Sequence, residues 1–329
     1  MTTPFTRSAT ALGVVALVLA LSACDLPFGL GLPSTRALEN GVQDSLKAPA
    51  FEVSGTLNEL GQIYTIDVQF ERPDKEHMTV SGSGLDVEAT VLGTQAYYRG
   101  QAFLASHLGT DPLSQNIVKA AGNAWWKGAA GLVPSLSELT QADAFKRTFL
   151  GSNIRTRTDH VMVGGTDTTE LSGPRADIYV SLASPYPLVR IKFLARVAVD
   201  GVGQADLKYK TLGSNFAIAA PTDVIDFSNL STLPPIYSVI SVDTSKCTSP
   251  CVVSALLKNL GGLKGAKGPS AVTFTMTATS NNAVIGSCQK QVVPDVGYNA
   301  TTTVTCSISI TQQSNAAIVT AIVNNPGRG

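Results

Sequence analysis

The chain has 329 residues, with 24 basic and 24 acidic side chains and only 15% charged residues. This balanced charge, without a basic patch, argues against nucleic-acid binding. A hydrophobic content of 44% argues against a disordered chain, and the length fits two domains better than one.

The chain begins with a polar stretch that carries one cation, Arg7, followed by an apolar run over 9–21. This run is shorter than the roughly 20 residues of a membrane-spanning helix and matches the apolar region of a secretory signal peptide. It ends in Leu21-Ser22-Ala23-Cys24, which resembles the lipobox of bacterial lipoproteins. We therefore expect a signal peptide over 1–23, lipidation of Cys24 and a tether over 24–33. The alternative is an ordinary signal peptide that is cut nearby, with Cys24 incidental.

Lipidation would place diacylglycerol on the thiol of Cys24. Each buried methylene contributes about 0.8 kcal/mol, and two acyl chains suffice for stable anchoring. No later segment has 18 consecutive apolar residues. The expected location is therefore the extracytoplasmic face of the bacterial cell membrane, with the lipid as the membrane attachment.

Four further cysteines lie in the last quarter of the chain: Cys247, Cys251, Cys288 and Cys306. An even number in an exported chain indicates disulfides. The favoured pairing is Cys288–Cys306, whose loop of about 19 residues contributes roughly 3 kcal/mol, with Cys247–Cys251. A zinc site is disfavoured because no histidine is near, and a redox pair because the spacing differs from that of thioredoxin motifs. We expect neither a metal nor another cofactor.

The first domain is predicted over 34–228. A helix is expected over 34–48, where Leu38, Val42 and Leu46 form an apolar stripe. Segments in which apolar and polar residues alternate, separated by glycines, then predict short antiparallel strands. These strands are expected over 51–57, 63–70, 78–80, 85–91 and 96–99.

After Gly100 the pattern becomes helical and then returns to strands. Helices are expected over 101–109, 111–121 and 135–150, and strands over 158–163, 166–171, 176–182, 188–194 and 204–209. This order predicts an α+β fold, a curved antiparallel half-barrel sheet with helices on its concave face. The space between the layers is a ligand pocket if apolar side chains line it, and a core if they fill it.

This domain resembles the mycobacterial LppX/LprG-type lipoproteins and, more distantly, the LolA/LolB lipoprotein carriers. The resemblance rests on ordered short segments that cover about 190 residues: 51–56, 67–70, 87–93, 96–100, Asn123-Ala124-Trp125-Trp126, 163–166, Leu171, 187–191 and 221–224. It implies a half-barrel that holds an acylated lipid or glycolipid between the sheet and the helices.

Apolar residues on the expected inner faces are the candidate ligand-binding residues. From the sheet these are Tyr64, Ile66, Val68 and Phe70; from the helices and their connections they are Phe103, Leu104, Leu108, Ile117, Trp125, Leu136, Leu139 and Phe149. Any of them is also compatible with a closely packed core.

A linker is expected over 229–235, which contains Pro234-Pro235, and a second domain over 236–325. Six or seven short strands in about 90 residues predict an all-β immunoglobulin-like sandwich. The segments 257–261, 272–278, 284–286 and 296–304 resemble the FxLYD-type extracytoplasmic sandwich domains.

None of the common nucleophile, zinc-protease, Walker or dinucleotide motifs occurs, so an enzyme is not expected. The sequence favours a membrane-anchored lipoprotein that binds or transfers a lipid or glycolipid. The alternative is a structural or adhesive envelope protein whose sandwich domain binds a protein or glycan partner. A third interpretation is a sensor or assembly factor with a soluble ligand.

Overall fold

The computed structural model describes residues 31–59, 61–133, 136–199, 201–210, 212–248, 250–312 and 316–328. The expected signal peptide, Cys24 and most of the expected tether lie outside the described residues. Within them the α-helices are α1 (Thr35–Lys47), α2 (Gln101–Leu108), α3 (Pro112–Ala121), α4 (Ser137–Thr140) and α5 (Ala142–Phe149). Short 3-10 turns cover Ala130–Leu132, Gly151–Asn153 and Leu230–Thr232.

Strands form most of the regular structure. The first half of the chain contains β1 (Ala50–Glu59), β2 (Gln62–Glu71), β3 (Lys75–Gly82), β4 (Leu85–Leu92), β5 (Gln95–Arg99), β6 (Trp126–Ala129) and β7 (Thr156–Val163). Next come β8 (Thr166–Ser172), β9 (Ala176–Ser181), β10 (Leu188–Phe193), β11 (Ala198–Val199) and β12 (Val202–Lys210). The last are β13 (Tyr237–Asp243), β14 (Cys251–Asn259), β15 (Ala271–Ala278), β16 (Val284–Gln291), β17 (Thr301–Ile308) and β18 (Ala317–Asn324).

The chain divides into two compact units. Of the described residues, the smaller comprises 31–47 together with Ser137–Val197, and the larger comprises those within Ala48–Leu136 and from Ala198 onward. The first predicted domain, 34–228, contributes to both units, whereas the second, 236–325, lies within the larger unit. Those domain boundaries remain predictions from sequence.

In the larger unit an open antiparallel sheet has the order β6-β5-β4-β3-β2-β1-β12, and β11 pairs with β12. In five of the six neighbouring pairs, the two strands are consecutive in the chain. The sixth pair joins β12 to β1, where Val53 lies opposite Tyr209. This arrangement confirms the coarse prediction of antiparallel sheets with few helices. The sheet is open and does not close into a barrel.

The register places apolar side chains of neighbouring strands on one face of this sheet. Val68 lies opposite both Val53 and Met78, and all three are buried. Because side chains alternate along a strand, the intervening Asp67 and Gln69 belong to the other face. Helix α2 packs on the apolar face, where the ring centroids of Phe103 and Tyr98 are 5.5 Å apart.

The smaller unit contains a sheet of order β10-β9-β8-β7, and α1 packs against β9 and β10. The apolar stripe of α1 is buried as the four-residue spacing predicts, since Leu38, Val42 and Leu46 are all fully buried. Helix α5 contributes Phe149, whose ring centroid lies 5.7 Å from that of Phe193 on β10.

The C-terminal strands of the larger unit form two three-stranded sheets, β13-β14-β17 and β16-β15-β18. Side chains from both sheets share one core, including Val253 and Leu257 from β14 and Phe274 and Met276 from β15. The disulfide Cys288–Cys306 joins β16 to β17 across the two sheets, with the α-carbons 6.2 Å apart. A second disulfide, Cys247–Cys251, closes the loop before β14, so the structure contains the favoured pairing.

Two local features differ from the expected elements. The helix expected over 135–150 is divided at Gln141, which has an extended backbone and precedes α5. Strand β6 was not expected, because its four residues are too few to show an alternating pattern.

Candidate functional site

An apolar pocket of about 140 Å³ lies in the larger unit, against the apolar face of strands β1 to β4. Helix α2 and the segment that follows β6 form its other walls. The residues that line it are Leu57, Glu59, Tyr64, Ile66, Met78, Val80, Leu85, Val87, Phe103, Leu132, Val133 and Leu136.

Strand register explains why these side chains meet. Leu57 lies opposite Tyr64, Ile66 lies opposite Val80, and Val80 lies opposite Val87. Opposite residues in antiparallel strands point to the same face, so these two neighbouring rows of positions supply one continuous apolar wall. Leu132, Val133 and Leu136, which follow β6 in the chain, complete the lining.

Polar groups are few and come from the ends of two neighbouring strands. Glu59 ends β1, and Tyr64 lies near the start of β2, where its hydroxyl donates a hydrogen bond to Oε1 of Gln62 at 3.0 Å. Ligand pockets commonly combine apolar walls with a small number of polar groups that orient the ligand. The pocket therefore suits an amphipathic molecule whose apolar part enters it.

The volume limits what the pocket accommodates in this conformation. Pockets for drug-sized ligands measure roughly 300–1,000 Å³, whereas an engineered apolar cavity of about 150 Å³ binds benzene. A volume of about 140 Å³ therefore holds a small apolar group or one portion of an acyl chain.

An aromatic cluster supports the end of the pocket formed by α2. The ring centroid of Tyr98 lies 5.0 Å from that of Trp126 and 5.5 Å from that of Phe103. The Tyr98 hydroxyl donates to the carbonyl of Ala129 at 2.7 Å, and burial raises the pKa of Tyr98 to about 12. Tyr98 is therefore a neutral structural donor that fixes β6 and the segment after it.

Two polar groups, one half-buried and one buried, were not singled out from the sequence. Glu76 on β3 lies opposite Phe70 and Val91 on the apolar face, and burial raises its pKa to about 7. The indole N–H of Trp126 is buried without a hydrogen-bond partner among the described residues. Neither group lines the pocket.

The twelve sequence-predicted ligand residues do not all meet at this pocket. Four of them line it: Tyr64, Ile66, Phe103 and Leu136. Val68 and Leu104 are buried, and Phe70 stacks on Phe51 with ring centroids 5.1 Å apart. Leu108 and Ile117 are half-buried on α2 and α3.

The remaining three predicted residues lie elsewhere. Leu139 and Phe149 belong to the smaller unit, where both are buried. Trp125 lies in the larger unit beside Arg99, whose guanidinium carbon is 5.0 Å from the ring centroid. Trp125 therefore does not line the apolar pocket.

Seven apolar lining residues beyond those candidates were missed by sequence reasoning: Leu57, Met78, Val80, Leu85, Val87, Leu132 and Val133. The first five occupy alternate positions of predicted strands, and aligning those strands as successive hairpins would have placed them beside Tyr64 and Ile66. Leu132 and Val133 follow an unpredicted strand, so nothing in the pattern marked them.

A wider depression of about 1000 Å³ lies at one end of the two small sheets. Its lining includes Thr244, Thr279, Ser280, Asn281 and Gln312, so it is richer in polar groups than the pocket beneath α2. The smaller pocket is therefore the better candidate for an apolar ligand.

Within the described ranges there is no group of three or more His, Cys, Asp or Glu residues that could hold a metal ion. Among the helices that the structure describes, none combines the length and apolarity required to cross a bilayer.

No family model matches the chain, and no curated protein matches it. Among solved structures, the chain is similar to the crystal structure of MucB in complex with MucA(peri), with 12% sequence identity and a TM-score of 0.27. The match covers 88% of this chain and 93% of that chain. So low a TM-score does not establish a shared fold.

Proposed function

We propose that this protein is a lipid-anchored bacterial lipoprotein that holds the apolar part of a lipid or glycolipid in the pocket beneath α2. The observation that carries the proposal is the set of apolar side chains on one face of β1 to β4 around a volume of about 140 Å³. We propose in addition that the large sheet is a half-barrel of the kind expected from the sequence, and that the two small sheets form an immunoglobulin-like sandwich.

The energetics favour an acyl chain over a polar ligand. Each methylene that enters the pocket gains about 0.8 kcal/mol, whereas a polar group without a partner pays a desolvation cost. The polar part of the ligand would contact the side chains of Glu59 and Tyr64. A chain longer than the present volume requires Phe103 and the rest of α2 to move away from β4.

The proposed location at the membrane follows from the expected lipobox. Two acyl chains on Cys24 would hold the folded units beside the bilayer from which a lipid ligand is drawn. The proposed role is binding or transfer, with no bond made or broken in the ligand.

Native mass spectrometry of a variant that begins at Asp25 tests the proposal. Without its own lipid anchor, this protein is expected to retain co-purifying acyl lipids. Val80→Phe fills much of the pocket, and Ile63→Phe is the matched control because Ile63 is 64% exposed on the neighbouring strand β2.

Lipid should be lost from the folded Val80→Phe variant and retained in Ile63→Phe. Repeated absence of lipid from the parent protein, or equal occupancy in both variants, would contradict the proposed binding role. Because overpacking a core costs typically 1–3 kcal/mol, circular dichroism is used to check that each variant is folded.

One observation favours the alternative of an adhesive envelope protein. Strand β18 is at the edge of its sheet, and Ile318 and Ile322 are 59% and 70% exposed. Exposed edge strands with apolar side chains can add a strand from a partner. Cross-linking on intact cells tests this alternative: Ile318→Thr with Ile322→Thr should remove a cross-linked protein, whereas Ile310→Thr should not.

A further inference from the structure

A groove of about 620 Å³, separate from the apolar pocket, lies on the larger unit where α3 meets the last residues of the chain. We name it the cationic groove. The side chains that matter for its chemistry are Gln101, Lys119, Asn123, Trp125, Lys267 and Arg328.

Backbone packing fixes the walls of the cationic groove. The N–H of Lys267 donates to the carbonyl of Gly327 at 3.0 Å, which holds the β14–β15 loop against the C-terminal residues. Gly327 has a φ of 81°, and a β-carbon at this position would be 2.4 Å from the carbonyl oxygen of Lys119. Only glycine allows this close approach, so the C-terminal residues lie directly on the end of α3.

The polar side chains are also held in place. Nζ of Lys119 donates to Oδ1 of Asn324 at 2.9 Å. Arg328 is only 21% exposed and pairs with Asp223, whose own side chain is 77% exposed. Two of the three cations are therefore fixed by contacts with neighbouring elements.

The cationic groove has an excess of positive charge although the whole chain is neutral. Asp223 is the one carboxylate among its lining residues and is already paired with Arg328. Lys267 is exposed and has no side-chain hydrogen bond or ion pair within the part of the chain that the structure describes. Lys119 and Lys267 therefore leave charge to be matched by an anion.

Trp125 adds an apolar surface beside this charge. Arg99 covers part of the indole, with its guanidinium carbon 5.0 Å from the ring centroid, and Trp125 also lines the groove. Nearby, the amides of Gln101 and Asn123 offer both donors and acceptors, the two functions that hydroxyl groups require.

From this combination we infer that the cationic groove binds a sugar that carries an anionic group, such as a phosphate. The ammonium groups of Lys119 and Lys267 contact the anion, the amides contact the hydroxyl groups, and the indole contacts the apolar face of the sugar ring. The ligand reaches the groove either free in solution or as the headgroup of a lipid, and both share this chemistry. The inference does not depend on the apolar pocket.

Glucose 6-phosphate is a suitable probe, used with the variant that begins at Asp25 at low ionic strength. Binding is followed by tryptophan fluorescence and by calorimetry, with a dissociation constant expected in roughly the millimolar range. Glucose and inorganic phosphate, tested separately, should each bind more weakly because each lacks half of the contacts.

Lys267→Gln removes one charge from the groove, and Lys264→Gln removes the same charge from the same loop outside it. Because a hydrogen bond to a charged group contributes to the binding free energy, Lys267→Gln should weaken glucose 6-phosphate binding about fivefold to tenfold. Lys264→Gln should leave the affinity unchanged. Neither variant should alter thermal unfolding, since both side chains are exposed.

Vesicles separate the two sources of the ligand. A lipid headgroup is supported if the parent protein binds phosphatidylinositol vesicles and the Lys267→Gln variant does not. A soluble source is supported if the parent protein binds only the free sugar phosphate. The inference is overturned if the parent protein binds neither phosphatidylinositol vesicles nor glucose 6-phosphate at up to about 20 mM, far above a dissociation constant of about 1 mM. It is overturned equally if Lys264→Gln and Lys267→Gln weaken binding to the same extent.

Discussion

A β-carbon placed on Gly41 would lie 2.3 Å from the carbonyl oxygen of Tyr186, so α1 and the segment before β10 approach as closely as backbone atoms permit. Ser45, one turn further along α1, accepts a hydrogen bond from the N–H of Leu188 at 3.0 Å and donates one to the carbonyl of Gly41 at 2.8 Å. Together these contacts fix the helix on the sheet of the smaller unit.

This close approach predicts that Gly41→Ala destabilises the protein. Alanine gains about 1 kcal/mol of helix propensity over glycine, but the clash with Tyr186 forces the helix away from the strand, and overpacking of this kind costs typically 1–3 kcal/mol or more. The net loss should be about 1–2 kcal/mol in the free energy of unfolding, measured with urea. Gly268→Ala is the control, since a β-carbon added there would have no atom within 4 Å, and it should change stability by less than about 0.5 kcal/mol.

The hydrogen bonds of Glu71 predict that the stability of the protein depends on pH. Its carboxylate accepts hydrogen bonds from the backbone N–H groups of Phe216 at 2.7 Å, Ala217 at 2.8 Å and Ile218 at 3.3 Å. Burial acts to raise the pKa of Glu71, but these bonds outweigh it and hold the pKa below its ordinary value of 4.5. Because the folded-state pKa is depressed, the stabilisation is present above 4.5 and is lost as the pH falls through the lower folded value.

Glu71→Gln should therefore lower the melting temperature at neutral pH, and the difference from the parent protein should shrink progressively below pH 4.5. Thermal unfolding followed by circular dichroism across this range measures the effect. Asp86→Asn is the control, an exposed carboxylate on β4, and should shift the curve little at any pH. A difference for Glu71→Gln that is independent of pH would contradict the assigned cause.

Asn325 is a buried amide that ties the C-terminal residues to β13. Its Oδ1 accepts from the N–H of Tyr237 at 2.9 Å, and its Nδ2 donates to the Tyr237 carbonyl at 3.1 Å. Asn325→Asp keeps the shape but replaces the donor with an acceptor, so a buried carboxylate faces a carbonyl oxygen.

This variant should lose about 3 kcal/mol of unfolding free energy, because an unsatisfied buried group costs 1–3 kcal/mol and a charged one costs more. Denaturant unfolding provides the measurement. Asn324→Asp makes the same change at the adjacent, exposed position, where Oδ1 accepts from Lys119, and its stability should stay within about 0.5 kcal/mol. Equal losses in the two variants would show that the hydrogen bonds of Asn325 are not the cause.

Much of the secondary structure could be predicted because local patterns dictate it. Alternation along 63–70 and the spacing of Leu38, Val42 and Leu46 give the right element types, with ends within one or two residues of the observed strand and helix. The break at Gln141 had no such signal, because the apolar residues on both sides of it keep helical spacing.

The site was less predictable because it depends on register and on contacts between segments distant in the chain. Ile66 and Val68 look equivalent in the sequence, yet only Ile66 lines the pocket while Val68 is packed in the core. Trp125 and Trp126 are adjacent, but they contact different surroundings because successive residues of an extended segment point to opposite sides. The close approach of Gly41 to Tyr186 likewise depends on tertiary packing, which composition does not reveal.

The central claim is that an acyl chain enters the pocket beneath α2. Methyl NMR of the variant that begins at Asp25, with a bound ¹³C-labelled fatty acid, measures this contact directly through intermolecular nuclear Overhauser effects. We expect effects from the acyl chain to the methyl groups of Ile66, Met78 and Val80, and none to Ile63, which is 64% exposed. Effects confined to surface methyl groups such as those of Ile318 and Ile322, or none to the pocket at saturating ligand, would contradict the claim.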